Sequence, residues 1–320
     1  MPCALCGRDD AFVVYMARGR SIVRCRGCGL VYVNPRPDAA TIADLYGEQY
    51  FAGGGESVDA EDKPHHDYFA FYQELGEEDR YRAELGELSR FVSPGRILDI
   101  GCSTGRFLGL AKEAGWDPRG VELSSFAASV AREKWGVEVV TGHLADANYP
   151  SGSFDAVTMH HVLEHLPGPM AFLATEVFPL LGPGGVLVLE VPNFSSLESR
   201  VNGESWQDLR PVEHLYHFTP STLPRLVTMA GFEVLRVCTK TASWGVKPAL
   251  EGFGVPTRWL RGVRPPAEWW QDVTPAEGAR GRRSCMPTLR RLLLAGLSVP
   301  GGVVERLNLA KRLVLFGRRP

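Results

Sequence analysis

Arg96-Ile97-Leu98-Asp99-Ile100-Gly101-Cys102-Ser103-Thr104-Gly105 is the stretch that decides the fold. Ile97, Leu98 and Ile100 make a short apolar run that reads as a buried strand. The small residues after it predict a tight turn, and Gly105 to Gly115 then has helical character. Working outward, the rhythm repeats. Arg119-Gly120-Val121-Glu122 is a second strand, Ser124 to Trp135 a helix, Val137 to Val140 a third strand and Phe154 to Met159 a fourth. Pro169 to Leu181 predicts another helix, stopped by Gly182-Pro183-Gly184-Gly185 before a strand over Val186 to Val191. Strands that alternate with helices of about a dozen residues predict an α/β, doubly wound, Rossmann-like parallel sheet.

In such a sheet ligands sit outside the carboxyl ends of the strands, at the switch point. The loop there is Asp99 to Gly105. Small residues at Gly101, Ser103 and Gly105 let backbone approach a ligand, and the helix that follows favours negative charge. Glu122 ends the second strand, where a carboxylate can take both hydroxyls of a ribose. A ribose-containing cofactor is therefore expected. A dinucleotide fingerprint would need glycine at 103 and 106, where the chain has Ser103 and Arg106, and no P-loop pattern occurs.

The segment resembles motif I of class I methyltransferases that use S-adenosylmethionine, whose pattern of acid, Gly, Gly/Ser and Gly is met by Asp99, Gly101, Ser103 and Gly105. The resemblance continues through Glu122, Phe154-Asp155-Ala156-Val157, His161-Val162-Leu163-Glu164-His165-Leu166 and Leu181 to Gly185. Pro192-Asn193, Glu213-His214-Leu215-Tyr216-His217-Phe218-Thr219 and Ala230-Gly231-Phe232 are similar to a branch with an N-terminal zinc ribbon. The likeness covers about residues 1 to 240. It implies S-adenosylmethionine as cofactor, with Asp99, Gly101, Ser103, Gly105, Glu122, His143, Leu144 and His160 as contacts. His143 stands where the family often has an Asp that meets the adenine amino group, so Asp146 or backbone groups are alternatives for that contact.

Methyl transfer mainly requires alignment of nucleophile, methyl and sulfur with water excluded. An oxygen nucleophile must also lose its proton, which suits a histidine. Six of the eight histidines lie between His143 and His217. His161, just after the fourth strand, and His214, in the variable segment after Asn193, are the candidate bases; packing or capping roles are the alternative. His161-x-x-Glu164-His165 also spells H-x-x-E-H, a zinc-peptidase pattern. That reading needs a helical setting, and the motif here follows a core strand, so it is set aside. Tyr50, Phe51, Tyr68, Phe69, Phe71, Tyr72 and Trp206 are candidates to roof an acceptor pocket, and residues 53 to 63 to form a lid.

Four of the seven cysteines fall in the first 28 residues, as Cys3-Ala-Leu-Cys6 and Cys25-Arg-Gly-Cys28. Two C-x2-C knuckles at this spacing predict a closed, structural four-thiolate Zn2+ site that does no chemistry, with redox pairs or disulfides as the weaker readings. Phe12 to Tyr15 and Ser21 to Val23 predict a hairpin between the knuckles.

Hydrophobic residues make up 44% of the 320 and charged residues 22%, which excludes wholesale disorder and a disulfide-dense miniprotein. No apolar run reaches the length of a membrane span and no signal peptide is evident, so the expected location is the cytoplasm. The net charge of -2 hides an asymmetry. Residues 257–320 carry 13 Lys/Arg against 4 Asp/Glu, and the first 256 carry 22 against 33. From Val303 to Phe316, residues 303, 307, 310 and 314 share one helical face, which predicts an amphipathic helix. A basic extension of that kind would pack on its own sheet, on a second copy in a homodimer, or at a membrane surface. Nucleic acid is disfavoured by the acidic body.

The expected organisation is a ribbon at 1–37, a helical linker or lid at 38–92, a methyltransferase domain at 93–242 with an acceptor insertion near 193–220, and a helical extension at 243–320. The expected activity is methylation of a small molecule, sugar, glycan or glycolipid, most readily at oxygen. An RNA or protein methyltransferase, and a non-catalytic adaptor, are the alternatives.

Overall fold

The computed structural model describes residues 1–17, 19–37, 77–241 and 305–320. Residues 38–76 of the expected linker, with the lid at 53–63 and six of the seven pocket aromatics, and residues 242–304, with most of the basic extension, lie outside the described residues.

The chain opens with β1 (Ala11–Ala17), β2 (Arg20–Cys25) and β3 (Val31–Val33), the first two forming the expected hairpin. Helix α1 (Glu77–Leu88) falls within the helical linker expected at 38–92. Then come β4 (Arg96–Ile100), α2 (Arg106–Glu113), β5 (Asp117–Glu122), α3 (Ser125–Trp135), β6 (Glu138–Thr141) and β7 (Phe154–His160). Helix α4 (Pro169–Phe172) runs through a π turn at Leu173–Val177 into β8 (Leu181–Pro192). The remainder is α5 (Leu197–Asn202), β9 (Tyr216–His217), α6 (Thr222–Met229), β10 (Glu233–Lys240) and β11 (Arg312–Arg318).

Seven strands form one sheet in the order β10-β11-β8-β7-β4-β5-β6. Pairings from β6 through β8 are parallel, as the strand–helix alternation requires; β11 runs antiparallel to both neighbours. Strand order reverses between β4 and β7, which puts the loops after these strands at the switch point. The sheet is buried on both faces. Leu98, Val157, Leu187, Leu189 and Leu315 belong to one core, and Ile97, Ala156, Val186, Val188 and Phe316 to the other.

Strand β11 corrects the sequence reading twice. Residues 312–318 are not the end of an amphipathic helix but a central strand, in register with β8 from Arg312↔Pro192 to Arg318↔Val186. The methyltransferase domain therefore does not close at residue 242, and the C-terminal extension is not wholly helical. The physical reason lies in Leu313-Val314-Leu315-Phe316, four consecutive apolar residues that are all buried. A helix would turn part of such a run to solvent, whereas a strand covered on both faces accepts all of it. Leu313 and Leu315 enter one core, Val314 and Phe316 the other.

The ribbon is also less separate than its sequence implies. Its sheet has the order β1-β2-β3-β9, and β9 comes from the expected acceptor segment, with Val31↔His217 and Tyr32↔Tyr216 in antiparallel register. Trp206, expected over the acceptor pocket, is instead buried with Ile22, Val31, Phe194 and Leu209 where ribbon and insertion meet. Its large apolar surface serves that junction.

Candidate active site

The turn after β4 is held by its own backbone. Gly101 N–H donates to Val121 O (2.8 Å) and Gly105 N–H to Cys102 O (2.9 Å). Gly101 (φ +75°) and Gly105 (φ +74°) adopt left-handed conformations, as does Ser103 (φ +48°). Both glycines are also sites of close packing. A Cβ on Gly101 would lie 2.6 Å from Val162 Cγ2, and one on Gly105 would lie 2.6 Å from Ala131 Cβ. Glycine is thus needed for turn geometry and for helix and loop contacts as well as for ligand approach.

Glu122 ends β5 beside this turn. Its Oε2 accepts from Ser103 N–H (2.8 Å) and its Oε1 from Ser124 N–H (2.9 Å), so the carboxylate is fixed across the loop. Burial pushes its pKa up, against the backbone donors that favour the charged form. Asp99, also buried, accepts from Thr158 Oγ1 at 2.7 Å. His160 lies behind Asp99 rather than along the open loop. Its Nδ1 is 3.4 Å from Asp99 Oδ1 and its Nε2 is 2.7 Å from Glu84 Oε1 on α1. Tyr81 and Phe107 enclose the ring. Burial opposes charge on this imidazole, yet Glu84 and Asp99 together raise its pKa well above the usual histidine value. His160 thus orients Asp99.

Leu144 is buried in the core and His143 is exposed. The His143 backbone N–H donates to Asp146 Oδ2 (2.7 Å), which ties the alternative adenine acceptor to its own turn.

The segments expected on the acceptor side begin where β7 ends. His161 has φ +54°, and its backbone N–H donates to Glu190 O at 2.8 Å. Its side chain sits between two carboxylates, with Nδ1 3.2 Å from Glu164 Oε1 and Nε2 3.2 Å from Glu190 Oε1. Against burial, Glu164 and Glu190 push its pKa up to about 9. An imidazole so placed carries its proton at neutral pH and is poorly suited to accept another. Glu190 is fully buried; Arg80 Nη1 of α1 reaches its Oε2 at 2.6 Å and Arg312 Nε of β11 its Oε1 at 3.8 Å.

The 3-10 turn Leu163–His165 carries Glu164 and His165, and Leu215 N–H donates to Glu164 O (2.8 Å), drawing the 214–217 segment alongside. His214 is buried and its Nδ1 is 2.6 Å from Asp208 O. A carbonyl can only accept, so Nδ1 carries a proton and the ring is oriented by Asp208. His165 stacks edge-on against the His214 ring at 4.7 Å between centroids. Burial, then the neighbouring His214, pulls the His165 pKa down to about 4, and the same two causes pull His217 to about 3. Both rings are neutral at ordinary pH.

In the ribbon, Cys3 Sγ lies 3.4 Å from Cys28 Sγ and Cys6 Sγ 3.5 Å from Cys25 Sγ, with all four sulfurs within 4.8 Å of one another. These separations are far beyond a disulfide bond of about 2.05 Å. They are close to the ~3.8 Å spacing of thiolates around a tetrahedral ion with 2.3 Å bonds. The four cysteines fit a zinc ion.

Glu84, Arg80, Glu190 and Arg312 escape a reading by motif, because each is an ordinary charged residue far in sequence from its partners. Only the apolar setting of Glu190, in Val-Leu-Val-Leu-Glu-Val, marks it as unusual.

Comparison with known proteins agrees with this geometry. A family described as methyltransferase domain matches residues 69–237, more than half of the chain. The chain belongs to this methyltransferase-domain family. A protein of Mycolicibacterium smegmatis named "Probable S-adenosylmethionine-dependent methyltransferase" is 29% identical over 141 residues, 43% of this chain and 52% of its own length. A protein of Psychrobacter arcticus named ubiquinone biosynthesis O-methyltransferase is 31% identical over 151 residues, 43% of this chain and 58% of its own. The chain thus spans little more than half the length of these relatives. The crystal structure of an S-adenosylmethionine-dependent methyltransferase from Archaeoglobus fulgidus aligns over 79% of this chain and 99% of its own, with a TM-score of 0.51 and 19% identity. That likeness establishes the methyltransferase fold. Among the described residues no helix is long and apolar enough to cross a membrane.

Proposed function

We propose that this methyltransferase-family protein uses S-adenosylmethionine to methylate a hydroxyl oxygen of a small molecule, sugar or glycan. The observation that carries the reading is a loop fixed by Glu122 at the switch point together with buried His214, its ring oriented by Asp208 O beside the turn after β7. S-adenosylmethionine supplies, when bound, a methyl group on a positively charged sulfur. The turn Gly101–Gly105 offers backbone to the cofactor, and Glu122 has lone pairs left for ribose hydroxyls after accepting two N–H groups. Asp99, oriented by His160 and Thr158, steadies the same loop; His143 and Leu144 border the adenine end.

On the acceptor side the sequence singled out His161 and His214. His161 pairs with two carboxylates and serves as a fixed positive charge that binds Glu164 and Glu190 together. His214 is the residue that assists loss of the acceptor proton. Oxygen as acceptor accords with the O-methyltransferase name of the Psychrobacter relative. We assign the cysteine cluster to structural zinc, and through β3 and β9 that ion braces the segment bearing His214.

Transfer of labelled methyl from S-adenosylmethionine by the purified full chain into a fractionated extract tests the proposal. Label in the solvent-extractable or glycan fraction, on oxygen by mass spectrometry, is the expected result. Label confined to RNA or protein would overturn it.

A further inference from the structure

Helix α1 is joined to the rest of the molecule by ion pairs of two kinds. Arg82 with Glu113 (2.8 Å) and Glu78 with Arg106 (2.7 Å) stand partly in solvent, where such pairs add little. Glu84 is different. Its carboxylate meets His160 Nε2 at 2.7 Å, and both side chains are less than a tenth exposed. Arg80, one turn earlier on the same face, reaches buried Glu190 at 2.6 Å. Withdrawing charges from water is costly, so a buried pair contributes little net stability, yet it fixes geometry firmly.

What Glu84 fixes is the ring behind the cofactor loop. His160 ends β7, and its two nitrogens face two carboxylates: Nε2 faces Glu84, and Nδ1 lies 3.4 Å from Asp99 Oδ1. An ionised carboxylate offers only acceptors, so both ring nitrogens must carry hydrogen to satisfy both partners. The ring is then an imidazolium between two anions, one from α1 and one from β4. Tyr81 and Phe107 cover its faces. Strand β8 sets Glu190 opposite His160 in backbone register, but Arg80, His161 and Arg312 engage that carboxylate. Burial opposes charge on the ring, yet Glu84 and Asp99 outweigh it and hold the pKa well above the usual histidine value. Asp99 in turn is 2% exposed, and its side chain is met by Thr158 Oγ1 and His160. A carboxylate so buried that lost the imidazolium charge would shift or take up a proton.

We propose that Glu84 is a positioning residue for the cofactor: it keeps His160 doubly protonated, so that Asp99 stays ionised and the loop from Asp99 to Gly105 keeps the shape that takes S-adenosylmethionine. The inference rests on the S-adenosylmethionine reading. Glu84 meets the ring at the nitrogen away from Asp99 and acts only through it. Cofactor affinity thereby depends on a helix outside the strand–turn–helix unit that carries the loop. Without the Glu84 charge, Asp99 alone must hold the proton on the ring, and the pKa of His160 falls. Affinity should then be near normal at low pH and decline as pH rises through that lowered pKa. In the wild-type protein the pKa is raised, so the contact persists to higher pH.

The test uses the full chain and two measurements, neither of which needs turnover. NMR of ligand-free wild-type protein, isotopically labelled at histidine, should show both ring nitrogens of His160 protonated from about pH 6 to about pH 8. Calorimetry at those two pH values then gives the ratio of S-adenosylmethionine affinities, variant to wild type, in which titration of the ligand itself cancels. For Glu84→Gln the ratio should lie within about threefold of unity at the lower pH and fall about tenfold further at the higher. Glu84→Asp, which restores the charge, should show no such drift. A neutral His160 ring in wild-type protein at neutral pH would overturn the inference, and that result needs no variant to fold. So would a Glu84→Gln ratio that is the same at both pH values, which is what lost packing alone would give, or an equal drift in Glu84→Asp. Wild-type protein that binds no S-adenosylmethionine removes the cofactor reading and this inference with it. Wild-type binding with a neutral ring, or with a ratio insensitive to pH, removes this inference alone.

Discussion

The two halves of the carboxyl edge are built in different ways. The proposed cofactor half is mostly local: residues 99 to 105, with Glu122 nineteen positions beyond Ser103, form a turn locked by backbone hydrogen bonds, and only the support of Asp99 by His160, Thr158 and Glu84 comes from farther away. The proposed acceptor half is assembled from Arg80, His161, Glu164, Glu190, His214 and Arg312, which are spread over more than two hundred positions. A local site depends on the loop that contains it. A dispersed site depends on every element that delivers a residue, so distant changes should disturb the acceptor half first.

The severest test removes residues 312–320. Leu313, Val314, Leu315 and Phe316 are each fully buried, and at about 1.5–3 kcal/mol per side chain their loss approaches the whole stability of a domain, about 5–15 kcal/mol. We expect no cooperative unfolding transition by circular dichroism. A truncated protein that still melts cooperatively and binds S-adenosylmethionine would show that β11 is dispensable to both halves.

Stripping the cysteine cluster with a chelator, or Cys28→Ser, separates the halves more finely. The β3–β9 pairing should loosen and displace the His214 segment, costing about 100-fold in methyl transfer. Cofactor affinity, measured by calorimetry, should stay within about threefold, because distant sites act nearly independently. Equal losses in both quantities would dissolve the distinction drawn above.

Glu122→Ala acts on the cofactor half alone. Loss of charge-assisted hydrogen bonds worth about 1.5–3 kcal/mol should weaken S-adenosylmethionine binding by about 10- to 100-fold. The turnover rate at saturating cofactor should change little. A purely acceptor-side defect in this variant would contradict the assignment.

The smallest effect is expected at His143. Its side chain is exposed, so His143→Asp should alter stability by no more than about 0.5 kcal/mol. Cofactor affinity should move by less than about threefold. A tenfold gain would mean that this position does read the adenine after all.

What could be read in advance follows the same division. The strand–turn–helix rhythm from Arg96 to Val191 is visible because each buried strand is an apolar run and each turn a cluster of small residues. The knuckle spacing exposed the cysteine cluster for a similar reason. Strand β11 was misread because residues 303, 307, 310 and 314 happen to fall on one helical face. The unbroken run 313–316 carried the stronger signal, but a short apolar run does not itself distinguish strand from helix. Trp206 was misplaced because aromatic character alone does not say which hydrophobic surface a ring covers.

The amino-acid sequence by itself determined the methyltransferase sheet, the cofactor loop and the grouping of four cysteines, all features whose parts are near neighbours along the chain. Only the tertiary structure decided that β11 completes the sheet and that β9 joins the ribbon to the acceptor segment. It also decided that His161 is held by two carboxylates while His214 is oriented by the Asp208 carbonyl. Hydrogen bonding and charge act over a few ångströms of space, so where a chemical group depends on residues a hundred positions away, folding alone chooses its partners.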